Sequence, residues 1–397
     1  MNIIEIEDLH GPHTYQKFPI AIVRGRGAVV WDDKGRKYID CMGGYGVAIV
    51  GHSNPKVVAA IKKQAQTLIT CHGSLYNDAR AEFLEKLTSC SPKGLDAAFL
   101  SNSGAEANEV AIKLARKVTR KKGIVALKNA FHGKTAGALS ITWSKKYKEP
   151  FEPLLQGIKH VELGDVDAME KAIDSDTGAV IIEPIQGEGG IMLPPAGYFK
   201  KVREICDRHN ILLIDDEIQT GLGRTGKLWA IDHWGVVPDI MTSAKGLAGG
   251  VPIGATITRA EILHALKKGE QTSTFGGNPL ACAAGTATLD YIIKNDLPGQ
   301  AAKKGKFFMD KLKQMGSHHK LTREVRGKGL MIAFELRVDI QDVLNDTMSL
   351  GAIFTYSGRT IVRMLPPLVI TEPQISKSVA ILGKAIDKEE GRRLGQD

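Results

Sequence analysis

The sequence predicts an α/β fold: a mostly parallel sheet covered on both faces, with a smaller α+β lobe attached. Three observations carry this. Between about residues 41 and 290, short apolar runs alternate with amphipathic stretches. The runs are apolar throughout rather than at every second position, as strands buried on both faces require. Beyond residue 290 the chain changes to longer strand-like stretches and a terminal helix, which marks a second lobe.

Taken in order, residues 1–40 open on the acidic stretch MNIIEIEDLH and then reach GAVVWDDKGRKYID, which reads as a hairpin turning at Asp33–Gly35. This segment is expected to join the smaller lobe. Asn54 followed by Pro55 supplies a helix cap and a first-turn proline for KVVAAIKKQAQTL. Buried strands are expected at 97–101, 123–127, 179–183, 211–215 and 254–258, with helices at 105–116 and 197–209 between them. The apolar pattern around Cys282–Ile293 leads into the lobe, where 325–336 and 361–365 read as strands and a helix runs from Glu372 to about Lys388. The expected division is therefore 1–40, 41–290 and 291–397.

At 397 residues the chain can bury a sizeable core. Its five cysteines lack CxxC spacing, so neither a zinc site nor a disulfide framework is encoded, and a reducing cytoplasm is expected. Signal-peptide features are missing, and no apolar run reaches membrane-spanning length, so no membrane association is expected. The net charge of +9 admits an anionic partner, beside the plainer reading of solvated basic faces and loops. Its basic residues fall in short pieces, such as Arg116–Lys122 and Lys145–Lys148, without interleaved aromatics. That disfavours nucleic acid and leaves an acidic substrate or protein open.

Three stretches carry chemistry. In FLSNSGAEAN (99–108) a strand, a polar turn and a helix start follow one another. The Gly104 and Ala105 amides with the Ser103 hydroxyl could cradle a phosphate, although alone the signal is weak, since Ser103 capping its own helix is the commoner explanation of such a sequence. In ILLIDDEIQTGLGRTG (211–226) acidic residues end a buried strand before a glycine-rich loop. Alternation sends Asp215 and Asp216 to opposite faces, Asp215 reading as an exposed strand-end residue and Asp216 as the buried one. A buried carboxylate needs a cation such as a protonated pyridine nitrogen; at ~3 Å and an effective dielectric of ~20 the pair is worth about 5 kcal/mol before desolvation. In TSAKGLAGGVPIG (242–254) Lys245 stands among small residues that leave room for another molecule; taken singly it reads evenly as an ordinary solvated lysine or as a partly desolvated amine that can form a Schiff base. Phosphate holder, pyridinium partner and amine are together what pyridoxal phosphate requires of a protein.

Through NSGAEAN, FHGKT (131–135), EPIQGEGG (183–190), DDEIQTGLGRTG (215–226), SAKGLAGGVPIGA (243–255), STFGGNPLACA (273–283) and RMLPPLVI (363–370), the chain resembles the fold-type I, class III aminotransferases. That family includes acetylornithine, ornithine and 4-aminobutyrate aminotransferases. The resemblance implies a seven-stranded, mostly parallel sheet in the large domain and pyridoxal 5'-phosphate as cofactor. It implies Lys245 as the Schiff-base lysine, Asp216 on the pyridinium nitrogen, Gln219 on the ring hydroxyl and Phe131 stacked on the ring. Ser103, Gly104 and Ala105 would hold the phosphate with Thr274 of a second subunit, in a homodimer with shared active sites. Ping-pong kinetics follow.

The same resemblance makes Arg363 the fork for the α-carboxylate of glutamate or 2-oxoglutarate, and Glu188 the partner that masks it while an ω-amino substrate is bound. Tyr15 and Tyr45 match tyrosines that hold the α-group of ornithine, and a tyrosine at 45 argues against 4-aminobutyrate. Lys134 stands where many relatives carry an arginine that clamps a distal carboxylate; a lysine offers a point charge there instead of a planar fork. EIEDLHGPHTYQKFPI and MGGYGVAIVGHSNP resemble enzymes that act on lysine or ornithine attached to an acidic amino-group carrier protein. The function implied is an ω-aminotransferase of arginine or lysine biosynthesis. Free-ornithine or 4-aminobutyrate transamination, a glutamate-1-semialdehyde aminomutase and a non-catalytic anion-binding protein are the alternatives.

Overall fold

The computed structural model describes residues 1–395. The chain opens with an exposed helix, Ile3–His10, which begins at a reciprocal cap between Asn2 and Glu5. Strands β1 (Ile22–Arg26), β2 (Val29–Asp32) and β3 (Lys37–Asp40) follow, each antiparallel to the next. Between β2 and β3 the chain turns through Gly35 at φ 78°, while the Asp32 carboxylate accepts the Lys34 and Arg36 amides at 3.1 and 2.7 Å.

Strands β4 (Ala97–Ser101), β5 (Gly123–Leu127), β6 (Ile158–Val161), β7 (Thr177–Ile182), β8 (Leu212–Asp216), β9 (Ile240–Ser243) and β10 (Gly254–Thr258) form a seven-stranded sheet in the order β4-β10-β9-β8-β7-β5-β6. Its neighbours pair in parallel except at β10, which runs antiparallel to both β4 and β9. The reversal has a simple cause. Only residues 244–253 separate β9 from β10, fewer than a crossover to a parallel neighbour needs. Strands β6 and β9, reading IKHV and IMTS, were not among the expected ones, because each is only four residues long with two apolar residues, too short to stand out as a separate run.

Alternate residues supply the two faces of this sheet. Ile124, Ala126, Ile181, Ile214 and Ile240 meet Val110, Ala111 and Leu114 of the helix Gly104–Thr119. Val125, Leu127, Val180, Ile182 and Leu213 share the opposite core with Phe199 and Val202 of the helix Tyr198–His209. Each of the valine, leucine, isoleucine and phenylalanine side chains contributes about 1.5–3 kcal/mol on burial.

In the lobe, β11 (Thr322–Lys328) and β12 (Met331–Leu336) form a hairpin where one strand-like stretch was expected, because Gly329 turns the chain at φ 57°. Strand β13 (Ala352–Ile353) pairs in parallel with β3, which ties residues 1–40 to the lobe. Strands β14 (Thr355–Ser357) and β15 (Ile361–Met364) complete the sheet β11-β12-β15-β14. The last helix runs from Glu372 to Leu394, beyond the expected end, and stops at Gly395 in the left-handed conformation. Among the described residues no helix is long and apolar enough to cross a membrane.

Candidate active site

The carboxyl ends of β4, β5, β7, β8 and β9 open on one cavity of about 290 Å³. Open α/β sheets bind ligands at this edge. Gly104 and Ala105 arrive after β4, Phe131 to Lys134 after β5 and Glu183 after β7; Asp216 with Gln219 comes from β8 and Lys245 from β9. Residues more than a hundred positions apart thus become neighbours.

Asp216 is only 4% exposed and is held from several sides. Its Oδ2 accepts from Asn108 Nδ2 at 2.8 Å and from His132 Nδ1 at 2.7 Å, and its Oδ1 accepts the Ile218 amide at 3.1 Å. Thr242 Oγ1 donates to Asn108 Oδ1 at 2.9 Å, which turns the Asn108 amino group towards the carboxylate. Asp215 corrects its expected place: instead of an exposed strand end, it is fully buried, and neither carboxyl oxygen has a hydrogen-bond partner among the described residues. The sheet continues on that face into packed core, so alternation did not carry the side chain to solvent. Burial, then Glu217 and Asp216, push the Asp215 carboxyl well above the usual carboxylate range.

Lys245 begins a single 3-10 turn, Lys245–Ala248, with φ at 44°. A side-chain-bearing residue in this left-handed region costs about 1–2 kcal/mol, a strain of the kind that collects at functional sites. Burial lowers the pKa of its amine, opposed by Asp216, Glu188 and Glu183, so the neutral nucleophile becomes more accessible. Glu183 is buried with Oε2 lacking a partner among the described residues. Its carboxyl is pushed well up by burial and then by Asp216, with Lys245 pulling the other way.

Gln219 lines the same cavity, its buried Oε1 without a partner among the described residues. Gly187 makes room for it, since a Cβ there would stand 2.2 Å from that oxygen. Ser103 lies outside the cavity wall, and its Oγ accepts the Glu106 amide at 3.2 Å as the cap of its own helix. Thr274 is exposed and is not brought to this cavity within the one chain.

A second group borders the first. Arg363, on β15, is fully buried, and its Nη1 lies 2.8 Å from Glu188 Oε1. That approach is close but not aligned as a hydrogen bond, and Nε, Nη1 and Nη2 all lack one among the described residues. Ser357 Oγ donates to the Glu188 carbonyl, and Arg326 Nη2 donates to that of Gly190 at 2.7 Å, so the lobe holds the 183–190 loop. The Arg363 guanidinium carbon lies 5.4 Å from the centre of the Tyr45 ring. Tyr45 and Tyr15 line a cavity of about 520 Å³ beneath the helix Ile3–His10, together with Tyr356. The Lys134 ammonium sits 2.8 Å from the centre of the Tyr147 ring, a cation–π contact rather than an ion pair, and burial lowers its pKa. Outside, Lys145, Lys146 and Arg359 line a wider mouth of about 860 Å³ with Phe131 and Glu188.

The residue reading missed Asn108, His132, Thr242, Glu183 and Tyr147. Asn108, His132 and Glu183 lie inside NSGAEAN, FHGKT and EPIQGEGG, but residue type alone gave no reason to single them out.

Comparison with known proteins decides the family: residues 10–386 match the model of aminotransferase class-III. The chain belongs to the class-III aminotransferases. It is similar to the acetylornithine aminotransferase of Methanopyrus kandleri, 46% identical over 388 residues that cover 97% of this chain and 99% of that protein. It is also similar to the LysW-aminoadipate semialdehyde/glutamate semialdehyde transaminase of Sulfolobus acidocaldarius, 42% identical over 94% of this chain and 97% of that one. Among solved structures it resembles the ornithine aminotransferase of Toxoplasma gondii crystallized with partial occupancy of PLP at its active site, with a TM-score of 0.94 and 34% identity over 98% of this chain and 95% of that chain.

Class-III aminotransferases work with pyridoxal 5'-phosphate. The residues present fit it. The cavity joins first-turn amides of a helix, a buried oriented carboxylate, an amine of lowered pKa and an unpartnered glutamine oxygen. Those match a phosphate, a ring nitrogen, an aldehyde and a ring hydroxyl in turn.

Proposed function

We propose that this class-III aminotransferase exchanges the terminal amino group of an ornithine- or lysine-type donor with 2-oxoglutarate. In this reading Gly104 and Ala105 hold the cofactor phosphate with Ser103, whose hydroxyl proton remains available, and with Thr274 of a second subunit. Asp216 pairs with the ring nitrogen, Gln219 faces the ring hydroxyl and Phe131 packs on the ring. Pyridoxal phosphate, when bound, supplies an aldehyde for the amine and an acceptor for the electron pair released when a substrate C–H bond breaks. Lys245 Nζ takes the proton from the donor's terminal carbon as general base and returns one as general acid. Asn108 and His132 keep Asp216 oriented.

The observation that carries the two-substrate reading is the buried Arg363 fork beside Glu188 at 2.8 Å. A permanently charged, fully buried guanidinium needs an anion. Glu188 serves while the ω-amino donor is bound, and the α-carboxylate of glutamate or 2-oxoglutarate takes its place in the other half-reaction, as a bidentate pair. Tyr15 and Tyr45 are assigned to the α-end of the donor, and Lys134 to its carboxylate or that of the second substrate. An N-acylated donor such as N-acetylornithine is favoured by the names of the relatives at 46% and 44% identity. The basic mouth of Lys145, Lys146 and Arg359 favours in addition an acidic carrier holding the donor.

A homodimer with shared sites is part of the proposal. Leu75, Tyr76 and Phe275 are exposed on adjoining segments, which Arg80 joins by donating to the carbonyls of Leu75 at 3.0 Å and Gly277 at 2.8 Å. Thr274 lies in the same segment as Phe275. The divisions 1–40, 41–290 and 291–397 are retained, the first supported by the pairing of β3 with β13. Five free cysteines favour the cytoplasm.

Initial rates with N-acetylornithine, ornithine, 4-aminobutyrate and carrier-bound lysine, each with and without 2-oxoglutarate, test the function. An acylated or carrier-bound donor should be fastest and every rate should require 2-oxoglutarate. Turnover of glutamate-1-semialdehyde without any oxo acid would replace the proposal by an aminomutase.

A further inference from the structure

The turn that presents Tyr45 has an unusual backbone. Gly43, Gly44, Tyr45 and Gly46 all carry positive φ, at 58°, 60°, 59° and 88°. Glycine adopts this region freely, whereas the Cβ of Tyr45 crowds its own following carbonyl. A residue in this state persists only where its surroundings over-determine it.

Asp40 supplies that constraint at the start of the turn. Its Oδ1 accepts the Met42 and Gly43 amides at 2.9 and 2.8 Å, and its Oδ2 accepts from His52 Nε2 at 2.6 Å. His52 is itself fixed, because its main chain exchanges hydrogen bonds with Gly27 at 2.9 and 3.0 Å. The turn is also pressed against the rest of the site. A Cβ at Gly43 would stand 2.4 Å from the Leu365 carbonyl oxygen, just past Arg363.

We infer that Asp40 and His52 are positioning residues for donor recognition: their contact locks the 43–46 turn in the left-handed form that sets the Tyr45 ring over Arg363. The inference rests on the assignment of Tyr45 to the donor's α-end. Neither Asp40 nor His52 lines the cavity of Lys245. They act through Tyr45, so the half-reaction with the ω-amino donor feels their loss more than that with 2-oxoglutarate, whose carboxylate is assigned to Arg363 on its own strand.

The test is steady-state kinetics on the cofactor-loaded enzyme with N-acetylornithine and 2-oxoglutarate, for His52→Ala, His52→Gln and Tyr45→Ala. His52→Ala should raise KM for the donor about tenfold while kcat and KM for 2-oxoglutarate stay within about twofold, the size expected when a left-handed residue is released. His52→Gln, whose amide N–H can still reach Asp40, should restore most of the donor KM. Should His52→Ala not fold, Asp40→Ala takes its place: it removes the acceptor facing His52 together with that of the two turn amides, and should raise the same KM. If Tyr45→Ala raises the donor KM but the His52 and Asp40 variants do not, the positioning role is overturned and the assignment of Tyr45 stands. An equal loss in both half-reactions, or no rescue by glutamine, reduces the contact to a structural tie and also overturns it. A Tyr45→Ala enzyme with unchanged donor KM removes the assignment of Tyr45 and the inference with it.

Discussion

Asn108 meets Asp216, the His132 carbonyl and Thr242 through one side-chain amide, and all three contacts lie between 2.7 and 2.9 Å. Replacing it with alanine leaves buried groups without partners at about 1–3 kcal/mol. Asn108→Ala should therefore bind pyridoxal phosphate roughly ten- to a hundredfold more weakly, as read by absorbance titration of the apo-protein. Arg363 makes a complementary case. Its fork lies in a fully buried position facing Glu188, and lysine there keeps the charge while losing the planar pair of donors. Arg363→Lys should raise KM for 2-oxoglutarate at least about tenfold and change that for the ω-amino donor much less. Equal effects on both substrates would refute the switching role of Glu188.

Among the elements, the end of β8 gathers more carboxyls than the chemistry uses. Asp216 faces the cavity, while Asp215 is buried on the other face beside Glu217, whose carboxyl burial raises to about 8. For both groups the folded pKa lies above the unfolded one, so above the ordinary carboxylate range the folded chain binds more protons than the unfolded chain. Their contribution to stability is fully present in acid, below about pH 4. It declines as pH rises, until about pH 8 for Glu217 and through the raised pKa of Asp215. Asp215→Asn remains neutral at every pH. The excess of its unfolding free energy in urea over the parent's should grow from pH 5 to pH 8. A difference between variant and parent that does not grow between those two pH values would contradict the assignment of Asp215 as a neutral buried acid.

For the whole molecule, the exposed aromatics Tyr76 and Phe275 and the +9 charge call for partners. If the face carrying Phe275 is the dimer contact, Phe275→Asp should sediment as a monomer and lose activity, because Thr274 would no longer reach a second site. A variant that remains dimeric with full activity would place the contact elsewhere. Charge steers encounter over a screening length that shrinks from about 10 Å at 0.1 M salt to about 3 Å at 1 M. The kcat/KM for carrier-linked donor should accordingly fall steeply with added salt, while that for free ornithine changes little. Equal salt dependence for the two would remove the carrier from the proposal.

What the sequence determined by itself is what local pattern can encode. Short five-residue runs located β4, β5 and β10 to the residue, and motif residues located Lys245, Asp216, Gln219, Phe131, Gly104 and Ala105, which line one cavity. The short mixed strands β6 and β9 escaped, and the direction of β10 could not be read from its composition, since it depends on how far the chain must travel to reach its neighbour. Tertiary structure alone decided that Asn108, His132 and Thr242 converge on Asp216, that Glu183 is buried beside Lys245, that Asp215 is buried, and that Asp40 and His52 stand behind Tyr45. Periodicity reports which side of an element avoids water; the company a side chain keeps there is set by strands from distant parts of the chain packing edge to edge.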